Sequence, residues 1–238
     1  MTLQAIDDGT VRGAVVVMAK APREGFVKTR LTDAYPAREV GQLADCMLRD
    51  TLALVQQLPG VHVAVMCPSE DVSIIEARLP AGVDVVGQCG NGLAAGLVSA
   101  FERFVPGFGR VVAVDSDSPH LPLPCLRSAF DLLEANELVV GPTEDGGYYL
   151  VGASAMHPRL FELAPLGTGS ARDALVGNAR ALGLSVAFTE ACYDVDVPAD
   201  LRRLAAELRI EPGRAPRTAA LLASWQPSSD AHDDQRTG

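Results

Sequence analysis

A basic segment at residues 20–31, KAPREGFVKTRL, follows the first apolar run of the chain. Its cationic residues are Lys20, Arg23, Lys28 and Arg30. The whole chain has a net charge of −10, so this segment reverses the sign of the charge locally. Lysine can act as a mobile charge on phosphate oxygens and arginine can bind them bidentately, which predicts a phosphate site. The alternative is a solvated loop that is basic by chance; a Walker motif is absent.

Two carboxylates, Asp115 and Asp117, follow a valine-rich segment in VVAVDSDSP. Their two-residue spacing places them on one face of an extended backbone. Mg²⁺ commonly binds one or two protein carboxylates together with water and substrate phosphate, so the pair is a candidate metal site. These aspartates can also simply cap the turn that precedes two prolines.

Three later sequences add candidates. In GPTEDGGYYL, Asp145 precedes Gly146, Gly147 and Tyr148, and in YDVDVPADL the acids are Asp194 and Asp196. Any of these aspartates can complete a metal shell, although DGG is also an ordinary hairpin turn, Asp196 can cap a helix, and paired tyrosines often serve packing. In QCGNGLAAGL, Gln88 or Asn91 can read the edge of a nucleobase.

Apolar runs alternate with helical patterns along the chain, which predicts a parallel sheet covered by helices. The predicted strands are 14–19, 61–66, 83–87, 110–114, 138–141, 148–152 and 184–188, and the predicted helices are 37–58, one opening at Ser69, 93–104, 124–135, 170–182 and 199–208. Only a few turn residues separate 138–141 from 148–152, so these two segments form a hairpin and the sheet is mixed.

Composition limits the classes of function. The 238 residues are 48% hydrophobic and 21% charged, and the acidic balance argues against nucleic acid and anionic membranes as partners. Five scattered cysteines and four histidines give no zinc-finger spacing. We expect a cytoplasmic protein with a flexible segment at 1–12, one nucleotide-binding transferase domain at 13–225 and a disordered tail at 226–238. The sequence sets no oligomeric state.

The order of these motifs resembles the radical-SAM/selenodomain-associated transferase family of the nucleotide-diphospho-sugar transferase (glycosyltransferase A-type) superfamily. KAPxxGxxKTRL and DGGYYLxG carry the resemblance most specifically. It implies a three-layer α/β/α Rossmann-like mixed sheet that binds a nucleotide or nucleotide sugar with Mg²⁺ or Mn²⁺. Two features differ from relatives: CGNGL stands in place of a GDLG-like element, and no tryptophan lies near 167–168.

The resemblance also implies roles for particular residues. Phosphates are assigned to Lys20, Lys28 and Arg30, the base to Gln88 and Gly92, the metal mainly to Asp117 with Asp194 or Asp196, and the sugar or acceptor to Asp145 and its neighbours. Three functions remain open: a metal-dependent glycosyltransferase acting on a small acceptor, with Asp145 as general base; a nucleotidyltransferase that releases pyrophosphate; and a nucleotide-binding protein without turnover.

Overall fold

The computed structural model describes residues 13–80, 82–161 and 171–225. Seven strands form one sheet: β1 Gly13–Met18, β2 Val61–Cys67, β3 Asp84–Gly87, β4 Val111–Asp115, β5 Leu138–Pro142, β6 Tyr148–Ala153 and β7 Val186–Phe188. The helices are α1 Ala37–Val55, α2 Val72–Glu76, α3 Gly92–Phe108, α4 Leu123–Leu132, α5 Ala171–Ala181, α6 Pro198–Ile210 and α7 Pro216–Ser224. The α/β fold predicted from the alternating pattern is confirmed.

The strands lie in the order β3-β2-β1-β4-β6-β5-β7. β6 pairs antiparallel with both β4 and β5, whereas the other pairings are parallel, so the predicted mixed sheet is confirmed. The hairpin places β6 between β4 and β5. The chain winds outward from β1 in one direction and from β4 in the other, and the carboxyl ends of β1 and β4 therefore mark the switch point at which open α/β sheets bind ligands.

Helices cover both faces of the sheet. Alternate residues of β1 point to opposite faces: Val15 and Val17 pack with α1 and α4, and Ala14 and Val16 pack with α3 and α5. A further cluster joins the outer face of α1 to α6 and α7. Both faces of β1 are buried, as its run without polar alternation predicts.

Several boundaries differ from the predictions. Helix α3 continues past 104 to Phe108 with Pro106 inside it, and Phe108 stacks on His62 with ring centroids 4.7 Å apart, a contact that is available only in the folded sheet. The helix predicted at Ser69 is a 3₁₀ turn followed by the short α2. Helix α7 was not predicted. The expectations for 1–12, 226–238 and residue 170 lie outside the described residues.

Asp50 on α1 holds α7 in place. Its carboxylate is 2% exposed and accepts the backbone N–H groups of Arg217 and Thr218 in the first turn of α7. These N–H groups have no partner within their own helix, so a carboxylate from a neighbouring helix satisfies them. In the part of the chain described, no helix is long and apolar enough to cross a membrane.

Candidate functional site

A cleft of about 480 Å³ opens at the carboxyl ends of β1 and β4, where Met18 pairs with Asp115. The loop after β1, the loop after β3 and the turn after β4 form its walls. The predicted site residues that line it are Lys20, Lys28, Arg30, Gln88, Gly92, Asp115, Asp117 and Asp196. Folding thus brings together a basic loop, a glycine-containing loop and a group of carboxylates that are far apart in sequence.

Lys28 is the cation closest to these carboxylates. Its side chain is 5% exposed, and its ammonium lies 2.9 Å from Asp117 Oδ2 and 3.6 Å from Asp196 Oδ1. It also donates to the carbonyl oxygen of Val195 at 2.5 Å. Burial alone would lower the pKa of Lys28, but attraction to Asp117 and then to Asp196 outweighs burial and raises it. Lys28 therefore keeps its charge across the neutral range.

The backbone at Lys28 is unusual. Its φ is +45° and its ψ is +47°, and it is the only non-glycine residue with positive φ in the described ranges. The left-handed region costs a residue with a Cβ about 1 kcal/mol. Such conformations persist where the surrounding structure enforces them, and they cluster at functional sites. Here the carboxylates and the Val195 carbonyl hold the ammonium end of the same residue.

The carboxylates repel one another. Burial, followed by the charges of Asp117 and Asp194, raises the pKa of Asp115 well above its ordinary value. Burial, followed by Asp145 and Asp196, raises the pKa of Asp194 to about 6. Arg30 adds a second cation, since its guanidinium lies 3.2 Å from Asp196 Oδ2. Because Lys28 and Arg30 together cannot balance all of these charges, the cluster favours an additional cation.

Gln88 organises the loop after β3. It is 8% exposed, and its side-chain amide donates to the carbonyl oxygens of Gly90 and Gly92 at 3.0 and 3.1 Å. The loop then enters α3, whose first turn has no side-chain cap and begins at the cleft with Gly92 and Leu93. The amide of Gln88 is thus occupied with loop carbonyls, and its contact with a base stays a prediction.

The comparisons with known proteins agree with this architecture. The sequence profile of DUF2064, a family described as an uncharacterized protein conserved in bacteria, matches residues 51–168. A protein from Desulfovibrio desulfuricans G20, provisionally named a nucleotide-diphospho-sugar transferase, superposes with a TM-score of 0.82 at 26% identity over 89% of this chain and 94% of its own. None of the curated proteins is significantly similar in sequence.

The chain has the fold of the nucleotide-diphospho-sugar transferase superfamily.

More distant structures share this nucleotide-diphospho-sugar transferase fold. Rv0371c of Mycobacterium tuberculosis H37Rv, in complex with manganese, matches with a TM-score of 0.50 at 23% identity over 81% of this chain and 97% of its own. The CMP:2-keto-3-deoxy-manno-octonic acid synthetase, in complex with CTP, matches with a TM-score of 0.57 at 13% identity over 84% of this chain and 99% of its own. The narrower radical-SAM/selenodomain-associated family stays a prediction.

Four residues predicted from sequence do not line the cleft: Asp145, Gly146, Gly147 and Tyr148. Asp145 is exposed, and its Oδ1 accepts from Thr143 Oγ1 at 2.5 Å and from the N–H of Gly147 at 3.0 Å. The Thr143 hydrogen bond is the main reason that the pKa of Asp145 is lowered. Gly146 and Gly147 form the turn that presents this carboxylate. Tyr148 is half-buried against the α3 face of the sheet, and its predicted contact with the acceptor stays a prediction.

Arg23 binds a protein carboxylate. Its guanidinium pairs with Asp71, which is 2% exposed and also accepts the N–H of Ala21 at 2.8 Å. Arg23 does not line the cleft. The pair attaches the start of the basic loop to the segment after β2, and the predicted contact of Arg23 with phosphate stays a prediction.

The donor chemistry of the site fits a hard divalent cation. Asp117 and Asp196 line the cleft, Asp194 and Asp196 repel each other electrostatically, and carboxylate oxygens are the ligands that Mg²⁺ and Mn²⁺ prefer. Within the described residues no three His, Cys, Asp or Glu side chains surround a single point. A cation would thus take part of its shell from water and ligand phosphate. Asp115 is less suited, because its Oδ1 already accepts the N–H groups of Asp117 and Ser118.

Sequence reasoning missed two kinds of residue at the site. Phe26 and Leu93 line the cleft and are 72% and 44% exposed. Asp71 holds the start of the basic loop by accepting the N–H of Ala21. An apolar aromatic residue inside the polar segment 20–31 was the available signal for Phe26. No local pattern marks Asp71, because its partners lie about 50 residues earlier in the chain.

Proposed function

We propose that the protein is a metal-dependent glycosyltransferase that transfers a sugar from a nucleoside diphosphate sugar to a small acceptor. The observation that carries this proposal is a cationic loop facing a carboxylate cluster across one cleft at the switch point of the sheet. Such a cleft holds both the negative diphosphate and the cation that neutralises it. The similarity to a provisionally named nucleotide-diphospho-sugar transferase supports it.

A bound Mg²⁺ or Mn²⁺, held by Asp117 with Asp194 or Asp196, would neutralise negative charge on the diphosphate. The manganese complex of a protein with the same fold supports this choice of metal. Lys20 and Arg30 line the cleft. Arg30 pairs with Asp196 at 3.2 Å, but its side chain is 67% exposed, so both residues can present positive charge to phosphate oxygens. Lys28 lines the cleft together with the carboxylates and adds a fixed positive charge beside Asp117.

Asp145 is the residue that contacts the acceptor in this proposal. Its lowered pKa keeps the carboxylate ionised, so it accepts a hydrogen bond from the acceptor hydroxyl. As the hydroxyl oxygen bonds to the anomeric carbon, the bond from that carbon to the diphosphate breaks, and Asp145 takes the hydroxyl proton. The nucleoside diphosphate leaves with its electron pair, next to the basic loop.

Incubation with a panel of nucleotide sugars and Mn²⁺ tests the proposal, with free nucleoside diphosphate as the readout. We expect release from at least one donor and loss of at least 100-fold in Asp117→Asn, since removing one electrostatic contact to a developing charge typically costs that much. Asp33→Asn, an exposed carboxylate outside the cleft, is the matched control. No hydrolysis or transfer from any donor contradicts the proposal.

A second candidate is a nucleotidyltransferase that joins an NTP to a sugar phosphate or a phosphorylated hydroxy acid. The presence of Lys20, Lys28 and Arg30 on one cleft favours it, because departing pyrophosphate carries more charge than the diphosphate of a nucleotide sugar. An oxygen of the acceptor phosphate would attack the α-phosphorus and displace pyrophosphate. Metal-dependent pyrophosphate release from GTP, CTP or UTP with candidate phosphates separates the two functions, and its absence excludes this one.

A further inference from the structure

Phe26 is the most exposed aromatic residue that lines the cleft. It is 72% exposed, although burying a phenylalanine side chain is worth about 1.5 to 3 kcal/mol. Of the large hydrophobic residues exposed in the described part of the chain, Phe26 and Leu93 line the cleft, and Leu182, Phe188, Val197 and Ile210 do not. Two of the exposed large hydrophobic side chains thus share one cleft with the cationic side chains.

The ring of Phe26 stands on a fixed support. The guanidinium carbon of Arg23 lies 5.4 Å from the ring centroid, within the range of a cation–π contact. Arg23 is itself paired with the buried Asp71. A turn reinforces this arrangement, because the N–H of Phe26 donates to the Arg23 carbonyl at 3.1 Å and Gly25 supplies a φ of +76°. The ring is therefore held in place before any ligand arrives.

The cleft combines this ring with cationic side chains and with enough volume for a nucleotide. Lys20 and Arg30 line the cleft and offer positive charge to the phosphates, although Arg30 also pairs with Asp196, and the loop from Gln88 to the start of α3 forms another wall. A volume of about 480 Å³ lies in the range of small-molecule sites. An aromatic ring held in place at such a site suits a flat π-system, since base–aromatic stacking tolerates any base.

We propose that Phe26 is the stacking surface for the nucleobase of the bound nucleotide, with Leu93 as a second apolar contact. This inference rests on the proposed function, because it requires a nucleotide in the cleft. It also gives Arg23 a role that its charge alone did not suggest. Arg23 positions the ring that holds the base, and Asp71 fixes Arg23.

Calorimetric titration with GDP, ADP, UDP and CDP in the presence of Mn²⁺ tests the proposal, with inorganic pyrophosphate as the probe that lacks a base. For each nucleotide that the wild type binds, Phe26→Ala should weaken binding by about 5- to 150-fold. Phe26→Tyr, which keeps the ring, should stay within about twofold, whereas Phe26→Leu should weaken binding nearly as much as alanine. Binding of pyrophosphate should be unchanged in all three variants.

Phe188→Ala is the matched control, because Phe188 is an exposed aromatic residue, 47% exposed, on β7 outside the cleft lining. The proposal is overturned if Phe26→Ala binds these nucleoside diphosphates like the wild type, or if it loses affinity for pyrophosphate equally. If the wild type binds nucleotides and Phe26→Ala binds them equally well, only this inference is refuted and the proposed function stands. A wild type that binds none of the nucleotides removes the proposed function as well.

Discussion

Replacing Asp194 by asparagine should stabilise the protein in the absence of divalent metal. Burial, followed by repulsion from Asp145 and Asp196, raises the pKa of Asp194 from its ordinary 3.8 to about 6. The folded protein therefore holds the Asp194 proton more tightly than the unfolded chain does. The favourable contribution of protonated Asp194 is fully present below about pH 3.8 and is lost as the pH rises through about 6.

The size of the effect follows from the two pKa values. At about 1.4 kcal/mol per tenfold change in proton affinity, the full shift corresponds to about 3 kcal/mol. Partial exposure of Asp194 screens the charges, which reduces our expectation to about 1 to 2 kcal/mol. For a protein of this size that amounts to about 2 to 8 °C in melting temperature.

Thermal melts at pH 8 and pH 4 with EDTA measure this difference. Asp194→Asn should melt above the wild type at pH 8, and the gap should close toward pH 4, where the wild-type carboxyl is protonated. Added Mn²⁺ should raise the melting temperature of the wild type more than that of the variant if Asp194 is a ligand of the proposed cation, because a cation that binds only the folded protein stabilises it. Asp33→Asn is the control. An Asp194→Asn protein that melts at or below the wild type at pH 8, or a gap that persists unchanged at pH 4, refutes the reasoning.

Other variants test the rest of the framework. Asp50→Ala should lower the free energy of unfolding by about 2 to 4 kcal/mol in urea denaturation, because the first N–H groups of α7 would lose their buried acceptor. An unchanged midpoint would show that α7 packs against α1 without this carboxylate. Lys28→Met should lower the free energy of unfolding by about 2 to 3 kcal/mol at pH 7 in urea denaturation, since it leaves Asp117 without its ion-pair partner, and an unchanged midpoint would contradict the ion-pair explanation. Gln88→Ala should speed amide hydrogen exchange across residues 88–93 while leaving α6 unaffected, and identical exchange would show that the amide does not hold the loop.

The sequence by itself determined the order of strands and helices along the chain as far as α6, and the loops that line the cleft. The unbroken apolar run of β1 already required cover on both faces, and the short connection between β5 and β6 required a hairpin. These features are local, so a single stretch of chain specifies them. The position of the basic loop after β1 and of Asp115 and Asp117 after β4 then predicted one common site, because parallel strands end at the same edge of the sheet.

Only the tertiary structure decided which partner each charge takes. Lys28 meets the carbonyl of Val195, 167 residues further along, and Arg23 turns to Asp71. Sequence spacing carries no information on such pairs, because they depend on how distant loops converge above the sheet. Helix α7 depends in the same way on Asp50, and the exposed ring of Phe26 depends on Arg23. Folding thus gave the cations of one basic segment three different positions: Lys20 and Arg30 line the cleft, Lys28 is a buried counter-charge, and Arg23 lies against an aromatic ring.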